Sequence, residues 1–224
     1  MKNQTSAGPV VRDRQATRMK LIQAVGTILS EKGFTALGVN AVARKAGVDK
    51  VLIYRYFGGM EQLMEAFGRE SDFWPSIQEL AGGDQAAYAR LPLSEKLSQL
   101  TLNYTRALQS RPLTLEIMAW EMVERNRLTA ELEAMRESTI MHFYEKFFDQ
   151  HKVNVDLQAL TAVIGAGLSY LVTRGRNIDI FNGIDLKSDQ GWQRIQAAIN
   201  IIILAFLKDR STDKPSKGDR HANK

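Results

Sequence analysis

Apolar residues recur every three to four positions along most of this chain and never alternate over a useful length, so the pattern predicts helices and no sheet. The first stripe, Leu21, Ile22, Val25, Ile28 and Leu29, lies within Thr17 to Lys32 and stops at Gly33. A shorter stripe, Val39, Val42, Ala43 and Ala46, leaves Asn40, Arg44 and Lys45 on its other side. It ends at Gly47, where a left-handed residue closes a helix without Cβ strain. Asp49 follows where the next helix needs a side-chain acceptor for its free N–H groups. Farther on, the periodicity predicts helices near Met60 to Gln78, Ser94 to Ser110, Pro112 to Arg125, Thr129 to His151, Asp156 to Arg174 and Asp189 to Lys208. Pro112 suits a first helical turn, and Thr129, Asp156 and Asp189 suit N-caps. Gly82-Gly83, Asn154 and Asn177 to Lys187 read as connectors.

Two short helices joined by a three-to-four-residue turn containing glycine form a helix-turn-helix joint. On a wheel of about 100° per residue, Ile53 and Phe57 share one side of the segment Lys50 to Phe57 and face the core. Val51 and Arg55 then point away, flanked by Leu52, Tyr54 and Tyr56. Such a surface either packs on a neighbouring helix or enters a major groove. In a groove, Lys and Arg meet phosphates or guanine edges, a Tyr hydroxyl reaches phosphate, and Val or Leu touches a thymine methyl.

Charge favours the groove. Residues 1–60 hold ten Lys or Arg against three Asp or Glu, net +7, while residues 61–224 hold twenty against twenty-two, net −2. A basic N-terminal module on a near-neutral remainder suits a head that binds a polyanion, carried by a body with another task. Arg12, Arg14, Arg18 and Lys20 cluster at the start of the first helix, where they either lie along a DNA backbone or solvate a helix end.

The helix before Gly33-Phe34, then Val42-Ala43, Ala46-Gly47-Val48, Lys50, Ile53-Tyr54 and Tyr56-Phe57, then an acidic-apolar helix from Glu61, resemble the N-terminal domain of the TetR/AcrR family of bacterial transcription regulators. The resemblance covers about residues 13–68. It implies an all-helical homodimer with a three-helix DNA-binding head and a larger ligand-binding body, most members repressing transcription until a small molecule binds. It makes Lys50, Tyr54 and Tyr56 backbone contacts and Val51, Leu52 and Arg55 candidates for base edges, with Asn40 a polar contact on the second helix. Arg18 and Arg44 complete the candidate DNA set. The chain departs from the family in two places. Leu37-Gly38 stands where a Thr or Ser usually caps the second helix, and Gly58-Gly59-Met60 replaces a Ser-Lys pair, leaving the amides of Gly59 and Met60 to meet phosphate.

Four segments follow: a polar tail at 1–10, a helix-turn-helix domain at 11–59, a helical effector-binding and dimerisation domain at 60–210, and a second tail at 211–224. Within the body, Leu113 to Val123 is apolar nearly all round, as expected of a helix through the middle of the domain. Trp74, Tyr104, Met118, Trp120, Met122, Phe143 and Phe147 supply the aromatic and thioether surface of a core or, as the family implies, of an effector pocket. The last two helices carry more apolar surface than one bundle contact requires, around interior glycines that cost about 1 kcal/mol each relative to Ala. Either they form a buried pair within the chain or they build a two-fold dimer interface through Leu160, Ile164, Gly167, Leu168, Leu171, Ile195, Ile199, Ile202 and Phe206.

Little supports catalysis. The chain has no Cys, and His142, His151 and His221 lack metal-ligand spacing. Gly165-Ala166-Gly167 does not continue as a dinucleotide fingerprint, Gly167 to Leu171 lacks the closing glycine of a nucleophile elbow, and Glu116 and Glu121 do not share a helix face. No catalytic residue, metal site or cofactor is expected. The longest apolar run, Ile201 to Leu207, is far short of the ~20 residues of a membrane span. The expectation is a cytoplasmic homodimeric regulator that binds double-stranded DNA and a small apolar or aromatic effector. The alternatives are a DNA-binding protein without an effector and an all-helical enzyme.

Overall fold

A computed structural model describes residues 9–70, 72–124, 127–149 and 155–208, and it is helical nearly throughout. The tails at 1–8 and 209–224, with Asn154, His151 and His221, lie outside the described residues. The head consists of α1 (Pro9–Lys32), a 3-10 turn (Phe34–Ala36), α2 (Val39–Ala46) and α3 (Val51–Phe57). The body follows as α4 (Met60–Glu70), α5 (Ile77–Leu80), α6 (Gln85–Ala89), α7 (Leu93–Gln109), α8 (Pro112–Glu121), α9 (Arg127–Phe147), α10 (Leu157–Arg174) and α11 (Asp189–Lys208). Among the described residues, no helix is long and apolar enough to cross a membrane.

The local signals work where they were read. Gly47 sits at φ +67° and closes α2, and Asp49 Oδ1 accepts a hydrogen bond from the Val51 N–H at 2.8 Å, satisfying an orphan donor of α3. Pro112 opens α8, and Asp156 caps α10 by accepting from the Ala159 N–H at 2.9 Å. Others move. The start of α1 at Pro9 takes in two residues assigned to the tail, because proline suits a first turn whatever the apolar pattern. The helix expected over Met60 to Gln78 ends at Glu70, since Asp72 adopts φ +54° and Pro75 bars continuation. Thr129 lies inside α9 rather than capping it, and at α11 the cap is Ser188, whose Oγ accepts from the Gly191 N–H.

A two-residue hairpin, β1 (Ile180–Phe181) paired with β2 (Ile184–Asp185), stands in the connector before α11. Its turn is Asn182-Gly183, both at positive φ, the dipeptide that a tight hairpin demands.

Two large cores organise the described residues, with a smaller cluster of Leu108, Leu115, Met118 and Val172 between α7, α8 and α10. Leu21, Ile22, Val25, Leu29, Phe34, Val42 and Ile53 are buried together, and Leu63, Met64 and Phe67 of α4, Ile117 of α8 and Leu132 of α9 join them, so α4 belongs equally to head and body. The second core gathers Leu97 and Leu100 of α7, Phe143 and Phe147 of α9, Leu160, Ile164 and Leu168 of α10, and Ile199 and Ile203 of α11. Buried Arg111 fixes the turn between α4 and α5, donating to Asp72 Oδ1 at 2.7 Å and to Glu79 Oε1 at 2.5 Å. A buried guanidinium is tolerated because both its partners carry charge.

Candidate DNA-binding surface and cavity

Ile53 is fully buried in the head core, which fixes the rotation of α3 and turns Lys50, Val51, Tyr54 and Arg55 outward. Val51 is 60 % exposed and Tyr54 56 % exposed, two large side chains in water beside two cations. A neighbouring helix of this chain does not cover them. Asn40 and Arg44 of α2 are exposed as well. No side chain caps α2, whose N-cap is Gly38, so a hydroxyl contact is missing there as the sequence indicates.

Three residues of the candidate set are engaged within the chain instead. The Arg18 guanidinium binds the Glu70 carboxylate and lies over the Phe57 ring at 4.9 Å, tying α1 to α4 and to the end of α3. That ion pair and hydrogen bond hold the Glu70 carboxyl below its ordinary range. Leu52 and Tyr56 are half-buried against the head core, and Arg14 stands 5.5 Å from the centre of the Tyr56 ring. As flanking positions of α3, Leu52 and Tyr56 are half-buried rather than fully outward, because the head core reaches part-way round the helix.

The body contains a cavity of about 990 Å³ between α7, α8, α9 and α10. Of the candidate pocket residues, Trp74, Tyr104, Met118 and Met122 line it, but Trp120, Phe143 and Phe147 do not. Phe143 and Phe147 stack with Tyr88 in the second core, at centroid distances of 4.8 to 5.5 Å. Trp120 points the other way, toward the head. Gly33, at φ +71°, leaves room for it: a Cβ there would stand 2.8 Å from the indole. From the same end of α8, Glu124 Oε2 accepts a hydrogen bond from the Thr35 backbone N–H at 3.0 Å. The end of α8 and the residues just after it therefore line the cavity through Met118, Glu121, Met122 and Glu124 while gripping the head through Trp120 and Glu124.

Periodicity did not reveal the polar wall of the cavity. Tyr104 Oη and Ser169 Oγ are hydrogen-bonded at 2.6 Å, bridging α7 and α10. Arg136 of α9 donates to Glu121 Oε2 and stands 5.5 Å from the centre of the Trp74 ring. Burial pushes the Glu121 carboxyl above the usual carboxylate range, partly countered by Arg136. Its other oxygen, Oε1, is buried with no hydrogen-bond partner.

The candidate dimer residues divide. Leu160, Ile164, Leu168 and Ile199 are buried in the second core and cannot form a primary interface; Leu171, Ile195 and Phe206 are half-buried. Only Gly167 and Ile202 stand clear. The exposed apolar positions include Val163, Ala166 and Tyr170 on α10, and Ala198, Ile201, Ile202, Leu204 and Ala205 on α11.

Residues 21–67 match the sequence model of the bacterial regulatory proteins of the tetR family. The head, with most of α4, is similar to that family's domain over these residues. Solved structures extend the likeness over the remaining helices. NalD of Pseudomonas aeruginosa, described as the secondary repressor of a multidrug efflux pump, is 16% identical with a TM-score of 0.62 over 88% of this chain and 99% of its own. The fatty acid degradation regulator FadR of Bacillus halodurans is 18% identical, with a TM-score of 0.54 over 92% and 98% of the two chains. A TetR family regulator of Marinobacter aquaeolei is also 18% identical, with a TM-score of 0.54 over 87% and 97%. No curated protein sequence matches the chain. The chain has the fold of a TetR-family transcription regulator, with the helix-turn-helix at its N-terminus.

Proposed function

We propose that this protein is a homodimeric, sequence-specific DNA-binding regulator that represses transcription and is released from its operator by a small molecule. The observation that carries the reading is the outer face of α3, where Lys50, Val51, Tyr54 and Arg55 stand in solvent while Ile53 anchors the helix in the core. Lys50 and Tyr54 meet backbone phosphates, and Val51 and Arg55 read base edges in the major groove. Arg44 and Asn40 approach the flanking backbone. Arg18 acts instead as a clamp.

Dimerisation uses the open face of α10 and α11. Val163 is 74 % and Ile201 68 % exposed, and Tyr170, Ile202 and Leu204 are exposed too, side chains that water does not favour. Gly167 adds support: a Cβ there would meet nothing within 4 Å, so the packing of its own chain gives no reason for a glycine inside a helix. A partner helix at close range would supply one. Two heads related by a two-fold axis place their α3 helices in successive major grooves about 34 Å apart, so the operator is a near-palindrome.

Effector control runs through α8. A ligand that fits the cavity better in one position of α8 than another shifts the head through Trp120 and Glu124, and DNA affinity changes by its differential affinity for the two arrangements. One of the similar solved structures is described as a repressor of an efflux pump and another as a regulator of fatty acid degradation, which supports a regulatory role.

The test is selection of bound sequences from a random DNA pool, followed by binding across a salt series. Enrichment of one near-palindrome supports the reading, and uniform binding to all sequences contradicts it.

A further inference from the structure

From the cavity wall we infer the class of ligand it takes: an organic cation, an ammonium or amidinium group carried on an aromatic or apolar body, whose N–H is accepted by Glu121 Oε1. This rests on reading the cavity as the effector site. Glu121 is only 10 % exposed, yet one of its carboxylate oxygens has no partner. A buried acceptor without a donor is costly, and a structure retains one where something else supplies the hydrogen bond.

The surroundings fix the sign of that donor. Glu121, Glu124, Glu133 and Glu137 line the cavity, and Arg136 is the one cation among its described lining residues. Arg136 is already committed to Glu121 Oε2 and to the face of Trp74, so the pair leaves one carboxylate oxygen unmatched rather than one guanidinium. A ligand anion would meet an excess of negative charge, and a neutral hydroxyl would satisfy the oxygen without balancing the wall. The same wall offers surface for an apolar body. Trp74 and Tyr104 lie edge to face at 5.8 Å, and Met118 and Met122 offer adaptable thioether surface.

The experiment compares three probes of one shape by calorimetry on the full-length protein: naphthylbutylamine, the corresponding alcohol and the corresponding carboxylate. The inference expects the amine to bind about ten-fold or more tightly than the alcohol, with the carboxylate weakest, as a charge-assisted hydrogen bond in a buried site requires. Glu121→Gln should abolish that preference and leave the alcohol nearly unchanged. Should Glu121→Gln fail to fold with Arg136 unpaired, the Glu121→Gln/Arg136→Gln double variant replaces it, with the same loss expected. The idea is overturned by absence of saturable amine binding, by a carboxylate that binds as well as the amine, or by a preference that survives removal of the Glu121 charge. Release from DNA is read separately. An amine that binds through Glu121 and leaves DNA affinity unchanged supports this inference and contradicts effector release.

Discussion

Replacing Ile201 and Ile202 with aspartate separates the proposed interface from the core beneath it. Ile201 is 68 % and Ile202 50 % exposed, so neither contributes much to packing within one chain. Fully burying an isoleucine stabilises by about 2 kcal/mol, so covering what these two expose is worth about 2.4 kcal/mol per chain. The two-fold axis doubles this to about 5 kcal/mol per dimer, more than a thousand-fold in dissociation constant. Aspartate adds the desolvation of up to four carboxylates. Sedimentation velocity from nanomolar to micromolar concentration is the assay, with circular dichroism to confirm that helix content is unchanged. A well-folded monomer at concentrations where the wild type is dimeric is the expected result. A variant that remains dimeric with unchanged affinity would show that α10 and α11 do not pair through this face.

Other outcomes follow from single contacts. Gly167→Ala should raise the stability of the monomeric helix by up to about 1 kcal/mol, since the added methyl meets nothing, yet weaken the dimer; urea unfolding and sedimentation together read both signs. Gly191→Ala should destabilise by about 1 to 3 kcal/mol in urea unfolding, because a Cβ there would overlap the Asp185 carbonyl oxygen and force the hairpin off α11. Glu70 is held below the ordinary carboxylate range by Arg18, so its contribution to stability is complete above its unfolded value of about 4.3 and is lost as pH falls through the lower native value. Glu70→Gln should therefore flatten part of the acid limb of a stability-against-pH curve, and an unchanged limb would argue against the clamp.

How much of this was legible in the sequence depended on whether a single residue type forced the geometry. Gly47 and Asp49 did so, because a left-handed closure and an N-terminal acceptor each have few chemical solutions. Asn182-Gly183 carried an equally strong hairpin signal, but strands of two residues leave no alternation to notice. The last two helices were ambiguous for another reason. Apolar side chains lie nearly all round α10, so periodicity could not say whether Leu160, Ile164 and Leu168 or Val163, Ala166 and Tyr170 faced inward. The larger branched side chains took the core, where they bury more area, and the face with small residues was left open. At the cavity, α8 was recognisable as central, but which of its faces met the head and which met the void depended on Gly33 and α9, far away in sequence. Nothing in the sequence marked Glu121 and Arg136 as partners, because they meet only where α8 and α9 pack.

The central claim, that α3 reads DNA sequence through its exposed face, is tested most directly by measuring the affinity of Arg55→Ala and Lys50→Ala for the selected operator and for single-base variants of it across a salt series. The account predicts that Arg55→Ala loses about 1 to 3 kcal/mol of discrimination at one base pair in each half-site. Lys50→Ala should instead weaken all sequences alike and lower the salt slope by about one counterion per head. If Arg55→Ala bound the operator and its variants in the wild-type ratio, the assignment of the reading face would be wrong.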